Sequence, residues 1–287
     1  MKLPSTRLIA FNAVAVMFFV GAVVSVFKDF LIPPTLPPCS PRYLTTTGMS
    51  LEQDGRLLTI IDIQAAAHGR DRGLTDSATV TRIADAPAPT ALQVRLARGT
   101  GVATVDAKTP GGISFPWLPR SAQNAGAACL VYDVRLPADF DFGSGGTLPG
   151  LIGAASQTAL MSDGPDGFAL PVQWGEQGRM AMQAKARIES QFSISQMESF
   201  RGAMPRGRWV RIEQEVILNT PGASDGTVRL WVDGKLRVET GGLSLRAGNA
   251  VAIAGVSMDV HHGAPDQPSM APRDQEIELT PFELRLK

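Results

Sequence analysis

Short runs of alternating hydrophobic and polar residues follow one another through most of the chain after residue 50. Side chains of a strand point alternately to its two faces, so this period of two predicts β-strands with one buried face. Clusters of Gly, Pro, Asn and Asp separate the runs, as turns between strands require. The predicted strands cover residues 57–64, 91–99, 128–137, 167–174, 179–188, 208–218, 227–235 and 281–287.

Many short strands at this spacing indicate an all-β fold, and we expect a β-jelly-roll sandwich of two curved antiparallel sheets. The Asp-Gly pair at 233–234 fits a hairpin turn. The glycines of 99–104 lack the strand-to-helix setting of a phosphate-binding loop. The pattern therefore favours a sandwich over a nucleotide-binding α/β fold.

The N-terminus follows a different pattern, because residues 8–27 form an uncharged stretch. A helix of that length spans roughly 30 Å, the thickness of a bilayer core. Lys2 and Arg7 precede it, which predicts a cytoplasmic N-terminus. A cleaved signal peptide is the alternative, but residues 24–28 make a poor cleavage site. We therefore expect a single-pass inner-membrane protein whose C-terminal domain lies in the periplasm or outside the cell.

Prolines dominate residues 32–41, which predicts an extended, semi-rigid spacer after the transmembrane helix. The expected organisation is a cytoplasmic N-terminus and transmembrane anchor over 1–30, a spacer over 31–44 and a β-domain over 45–287. An oxidising compartment would permit a disulfide between Cys39 and Cys129, the two cysteines of the chain. We favour instead an unpaired, buried Cys129.

The charge balance excludes a general nucleic-acid binder, since 27 basic residues match 27 acidic ones and such binders carry a basic surface. The cysteines and histidines do not have zinc-site spacing, and we expect no metal or cofactor. One predicted strand, 179–188, places a row of polar side chains on one face. That row is either a solvated outer face, which alternation alone favours, or the basic floor of a cleft for an acidic glycan: Gln183, Lys185 and Arg187.

Several stretches together resemble the polysaccharide lyases of family 14, which include alginate and glucuronate-polymer lyases. They are "ALQVRLARG", "GGISF", "VYDVRLPADFDFGSGGTLPGLIG", "GRWVRIEQEVILNTPGASDGTVRLWVDGKLRVE" and "APRDQEIELTPFELRL", over about residues 90–287. The resemblance implies a jelly roll with a glycan cleft on its concave side. It also implies an anionic uronate polysaccharide as partner.

The family's chemistry is β-elimination, in which a base removes the proton beside the uronate carboxylate and the glycosidic oxygen departs. Cations or hydrogen bonds must neutralise that carboxylate. The resemblance implies a lysine in the Gly-Gly-x-Leu-Pro-Gly segment, where this chain has Thr147, and tyrosines on the strand that here carries Gln183 and Lys185. Tyr132 shares a strand face with apolar residues and should point into the core. The stretch 139–153 is interpreted as a turn kept for architecture.

His261 is the best substitute base among the three histidines. Alternation places it with Asp259 on the polar face of its strand, while His262 shares the apolar face. Asp259 could orient the imidazole ring, and histidine is the side chain that titrates near neutrality. His68 lies before the region of resemblance.

Two functions stay open. One is a membrane-anchored, extracytoplasmic lyase that cleaves an anionic polysaccharide with His261 and Asp259 in catalytic roles. The other is a non-catalytic glycan-binding domain for polysaccharide export or surface attachment.

Overall fold

The computed structural model describes residues 36–67, 70–101, 111–122, 124–155, 166–189, 191–263 and 269–287. The chain divides into two compact units, Met1–Leu36 and Pro37–Lys287. The second unit contains every strand among the described residues. Two short helices are α1 (Ile60–Ala66) and α2 (Leu74–Ser77), and 3-10 turns cover Ser40–Arg42, Arg120–Ala122 and Glu176–Gly178.

The described residues form strands that we number in chain order: β1 (Thr45–Gly48), β2 (Glu52–Gln53), β3 (Arg56–Leu57), β4 (Ala78–Thr81), β5 (Ala91–Leu96), β6 (Pro116–Trp117), β7 (Ala127–Arg135), β8 (Gly145–Ala154), β9 (Gly167–Gly175), β10 (Arg179–Ile188), β11 (Gln191–Ala203), β12 (Trp209–Ile217), β13 (Gly226–Val232), β14 (Lys235–Leu243), β15 (Ala252–Ser257), β16 (His261–His262), β17 (Gln275–Leu279) and β18 (Glu283–Leu286).

Two antiparallel sheets form the sandwich. In the described part of the chain, the first sheet has the order β14-β13-β12-β7-β17-β5-β4, with β18 beside β7 and β1 beside β18. The second has the order β11-β10-β9-β8-β15-β6, with β16 beside β8. Neighbours in space are often distant in sequence, as for β8 with β15, which fits the expected jelly-roll type of sandwich.

The core lies between the sheets and follows the alternation of the sequence. The first sheet contributes Leu130, Tyr132 and Val134 from β7 together with Ile212 and Val216 from β12, all fully buried. The second contributes the apolar faces of β9 and β10: Phe168, Leu170, Val172, Trp174, Met180, Met182, Ala184 and Ala186. The predicted inward position of Tyr132 is confirmed. Burial raises the pKa of its hydroxyl, which donates to Pro149 O at 3.1 Å.

Strand β8 is irregular at Leu-Pro-Gly, and a buried glutamine completes its backbone bonding. The register between β8 and β9 shifts between Leu148 and Leu151, as in a β-bulge, where backbone groups leave the ladder. Gln214 of β12 accepts a hydrogen bond from Leu151 N at 2.7 Å and donates one to Leu170 O at 2.7 Å. The two sheets are therefore joined by directed bonds at this bulge.

The stretch 139–153 is thus only partly a turn, which corrects our interpretation. Gly145 begins β8, and all ten residues of that strand are buried. Glycine and proline weaken strands, so a segment rich in them is not predicted as a strand from its sequence. The expected packing of the loop's apolar side chains is confirmed, since each of them is buried: Phe140, Phe142, Leu148 and Leu151.

Residues 57–64, predicted as a strand, mostly belong to helix α1, and this prediction was wrong. Thr59 caps the helix, because its hydroxyl accepts from Asp62 N while the Asp62 carboxylate accepts from Thr59 N at 2.8 Å. This reciprocal capping box stabilises the start of the helix, and the alternation of hydrophobic and polar residues does not reveal it.

The predicted fold class was also wrong in including a transmembrane helix. The two α-helices of the described residues have 7 and 4 residues, too few to span a bilayer. Residues 8–27, on which the prediction rested, lie outside the described residues. The fold supported by the structure is an all-β sandwich.

Cys39 and Cys129 form a disulfide, so the preference for an unpaired Cys129 was wrong. The bond fastens the segment from Pro37 onward to the outer face of the first sheet. Tyr43 strengthens this attachment by donating to Glu215 at 2.8 Å, and Arg42 pairs with the same carboxylate at 2.9 Å. The last part of the predicted spacer is therefore packed against the β-domain.

Candidate functional site

A groove runs over the face of the second sheet that points away from the core. Its cavity volume is about 320 Å³. Strands β8, β9, β10 and β15 form the floor, and the segment 111–114 with Arg72 forms one side. The described lining residues are Arg72, Gly111, Gly112, Ile113, Ser114, Thr147, Ala169, Pro171, Gln173, Lys185, Ser257, Asp259 and His261.

Three neighbouring strands bring three polar side chains into a row across the groove. His261 of β16 lies opposite Thr147 of β8, and Thr147 lies opposite Gln173 of β9. Directly opposed residues have Cβ atoms about 5 Å apart, so each member can contact the next. His261 therefore lies beside the position for which the family resemblance implies a lysine.

Backbone carbonyls orient the His261 ring. Its Nδ1 lies 3.2 Å from His262 O and 3.1 Å from Gly263 O. Carbonyl oxygens only accept hydrogen bonds, so Nδ1 carries the hydrogen and Nε2 of the neutral ring carries the lone pair. Nε2 makes no hydrogen bond to the described residues, which leaves it available to a bound molecule. Thr147 Oγ1 donates to the same Gly263 carbonyl at 3.0 Å.

Asp259 lies in the groove on the same face as His261, as alternation predicts, but it does not orient the ring. Its two carboxylate oxygens accept hydrogen bonds of 2.5 Å from the hydroxyls of Ser114 and Ser257. Residues two apart on a strand are about 7 Å apart, and the serines are nearer partners. The expected Asp259–His261 contact is thus replaced by carbonyl contacts.

The predicted basic row of β10 reaches the groove unequally. Lys185 lines it directly. Gln183 shares the face and is buried, whereas Arg187 is half-buried and is not among the described lining residues. Lys185 lies opposite Ala169 of β9, three strands from His261. The structure thus brings Lys185, Asp259 and His261 to one groove and leaves Arg187 beyond it.

His262 faces the other way and holds the loop before β8. Its ring stacks on Phe140 with centroids 6.1 Å apart, and Trp174 meets it edge-on at 5.5 Å. Nδ1 donates to Gly145 O at 3.1 Å, while Nε2 accepts from Gln275 at 2.7 Å. Burial lowers the pKa of His262 to about 4, so the ring is neutral at neutral pH.

Gln173 and Arg72 are among the polar residues of the groove that sequence reasoning missed. Gln173 could have been found, because alternation in 167–174 places it opposite the apolar residues of β9. Arg72 gave no such signal, since it lies between two short helices and reaches the groove through non-local backbone pairing. His68 lies outside the described residues.

The described residues give little support for a metal site. Among them, ligand atoms of Cys39, Cys129 and Glu213 lie within 4.8 Å of one another. The disulfide uses both sulfur atoms, so no thiolate remains for a metal.

Comparison with solved structures shows the same fold in polysaccharide lyases. The alginate lyase of the marine Aplysia kurodai has a TM-score of 0.66 at 20% identity, covering 85% of this chain and 99% of that one. Alginate lyase vAL-1 from Chlorella virus has 0.63 at 17%, covering 84% and 99%. The endo-β-1,4-glucuronan lyase of Trichoderma reesei has 0.52 at 11%, covering 73% and 87%. Likeness at these identities shows the fold alone.

The search of curated proteins found no match. The model of the family Polysaccharide lyase 14, however, matches residues 85–282, which is more than half of the chain. That region contains the strands that form the groove floor and His261. This chain therefore belongs to polysaccharide lyase family 14.

Proposed function

We propose that this protein cleaves an anionic uronate polysaccharide by β-elimination, with Nε2 of His261 as the base. The observation that carries the proposal is the His261 ring itself: its Nδ1–H is fixed by two carbonyls, and it lines the groove beside Thr147. A neutral imidazole with a free, oriented lone pair is suited to remove a proton near neutral pH.

The groove residues supply the other parts of the reaction. Nε2 takes the proton from the carbon next to the carboxylate, a carbon–carbon double bond forms, and the bond to the glycosidic oxygen breaks. In this proposal Gln173, two strands from His261, donates hydrogen bonds to the carboxylate of the same sugar, which makes that proton more acidic. Lys185 binds the carboxylate of another sugar, because it lies three strands away.

His261 also returns the proton to the departing oxygen in this proposal. It is the one histidine among the described lining residues, and an imidazole that has taken a proton can give it back. One residue can take and return a proton only when the hydrogen and the leaving oxygen lie on the same face of the ring. Mannuronate and glucuronate residues meet this condition, whereas guluronate places the two on opposite faces.

Two further findings support the proposal. Structural neighbours include alginate and glucuronan lyases, whose substrates are uronate polymers. The Cys39–Cys129 disulfide fits a domain that works in an oxidising compartment outside the cytoplasm.

The test is an absorbance assay for the unsaturated uronate product on polymannuronate, polyglucuronate and polyguluronate. We expect product from at least one of the first two and little from polyguluronate. Preferred cleavage of polyguluronate would refute the single-residue proton transfer. The second candidate is a glycan-binding domain, favoured by Thr147 at the lysine position. Binding of these polymers without any product would support that candidate instead.

A further inference from the structure

The described groove lining has a cation on each side of His261. Lys185 lies on the β10 side, and Arg72 lies on the opposite side. The carboxylate in the groove, Asp259, is already bonded to two serine hydroxyls. The two cationic side chains therefore lie at separate places in the groove.

Arg72 is held at the groove by a ladder of backbone bonds. Arg72 N donates to Ser114 O at 2.8 Å, and Ser114 N donates to Arg72 O at 2.9 Å. The adjacent Ile113 makes the same reciprocal pair with Val260, at 2.9 Å in both directions. Val260 precedes His261, so two successive pairs of backbone hydrogen bonds link the Arg72 segment to the segment that carries the candidate base.

Two glycines allow these three segments to approach so closely. A Cβ on Gly73 would lie 2.1 Å from Gly112 O, and one on Gly112 would lie 1.9 Å from Val260 O. Both also have positive φ, +73° and +76°, which favours glycine. The close approach of these segments thus depends on the glycine that follows Arg72 and on Gly112, and it fixes the position of the Arg72 backbone.

The Arg72 side chain is exposed and makes no hydrogen bond or ion pair with the described residues. A guanidinium presents a planar fork that binds a carboxylate through two hydrogen bonds. With strands about 4.8 Å apart, Arg72 lies roughly 10 Å from His261 and roughly 20 Å or more from Lys185. One carboxylate cannot reach both cations.

We infer that Arg72 binds the carboxylate of a sugar flanking the cleaved one, on the side away from Lys185. The groove then selects runs of consecutive uronates over chains in which uronates alternate with neutral sugars. This inference rests on the proposed function. It adds a specificity-determining residue that lies outside the family-matched residues 85–282.

The test compares full-length wild type with Arg72→Gln, Arg72→Lys and the control Arg56→Gln, an exposed arginine outside the groove. The probes are mannuronate and glucuronate tetrasaccharides and a polymer that alternates glucuronate with a neutral sugar. We measure Kd for each probe, and kcat and KM wherever product forms. Arg72→Gln should weaken tetrasaccharide binding roughly 10-fold or more, the scale of a lost charge-assisted pair.

Three further results complete the expected pattern. Binding of the alternating polymer should change less, Arg72→Lys should recover part of the affinity, and Arg56→Gln should match wild type. Equal affinity of wild type and Arg72→Gln for the tetrasaccharides would overturn the inference while leaving the proposed function intact. A wild type that neither binds nor cleaves any probe would overturn both.

Discussion

Acid should destabilise this protein through His262, and the size of the effect follows from its surroundings. The ring is buried between Phe140 and Trp174, and burial lowers its pKa to about 4 from the ordinary histidine value of 6.5. The unfolded chain therefore binds a proton below about pH 6.5, while the folded protein does not until about pH 4. Stability falls as the pH falls through this window, by roughly 3 kcal/mol in total.

The assay is denaturant unfolding of wild type and His262→Gln at pH 7 and pH 4.5. At pH 7 the variant should be less stable, because it loses the ring contacts and the bond to Gly145 O. At pH 4.5 the difference should shrink by roughly 2 to 3 kcal/mol, since only wild type loses stability through this imidazole. Carboxylates that titrate in both proteins cancel in the comparison.

A stability difference that is the same at both pH values would refute this reasoning. If His262→Gln does not fold, the ring can be titrated in wild type by NMR, where three histidines make assignment simple. A midpoint near 4 is expected for His262, and a midpoint near 6.5 would contradict the account.

Two other predictions concern the disulfide and the groove. Replacing Cys39 and Cys129 by alanine removes a cross-link between residues 90 apart in sequence. The unfolded chain then gains conformational entropy worth about 4 to 5 kcal/mol, and we expect the Tm to fall by about 10 °C or more. An unchanged Tm would contradict the attachment of the N-terminal segment to the β-domain. Lys185→Ala should raise the Kd for polymannuronate several-fold and reduce its salt dependence, and Arg187→Ala should do so less, because only Lys185 lines the groove. Equal effects of the two substitutions would show that the groove assignment is wrong.

Strands with one buried face were predictable, because their hydrophobic and polar residues alternate and the hydrophobic ones face the core. The predicted strand over 179–188 coincides with β10, and 167–174 lies within β9. Strand β8 was missed because its residues are buried on both faces and are largely Gly, Pro and Leu, so hydrophobic and polar positions do not alternate. Its stability depends on Gln214 and Tyr132 from the opposite sheet, and such distant contacts leave no local pattern.

In the candidate site, too, alternation predicted which strand face a side chain occupies but not its distant contacts. Alternation placed His261 on the polar face, and the structure puts it in the groove. Alternation did not show which group orients the ring. The carbonyls of His262 and Gly263 reach Nδ1 because of the backbone conformation after His261, which the pattern of side chains does not reveal. Nor did it bring Arg72 to the groove, since that needs the pairing of three segments far apart in sequence.

The central claim is that His261 is the base of a β-elimination. The most direct measurement compares full-length wild type with His261→Gln on polymannuronate and polyglucuronate, recording the rate of unsaturated product and, separately, the Kd. If His261 is the base, kcat should fall by roughly two or more orders of magnitude, the scale of general-base loss, while Kd should change little. An active wild type whose His261→Gln variant keeps full turnover would contradict it.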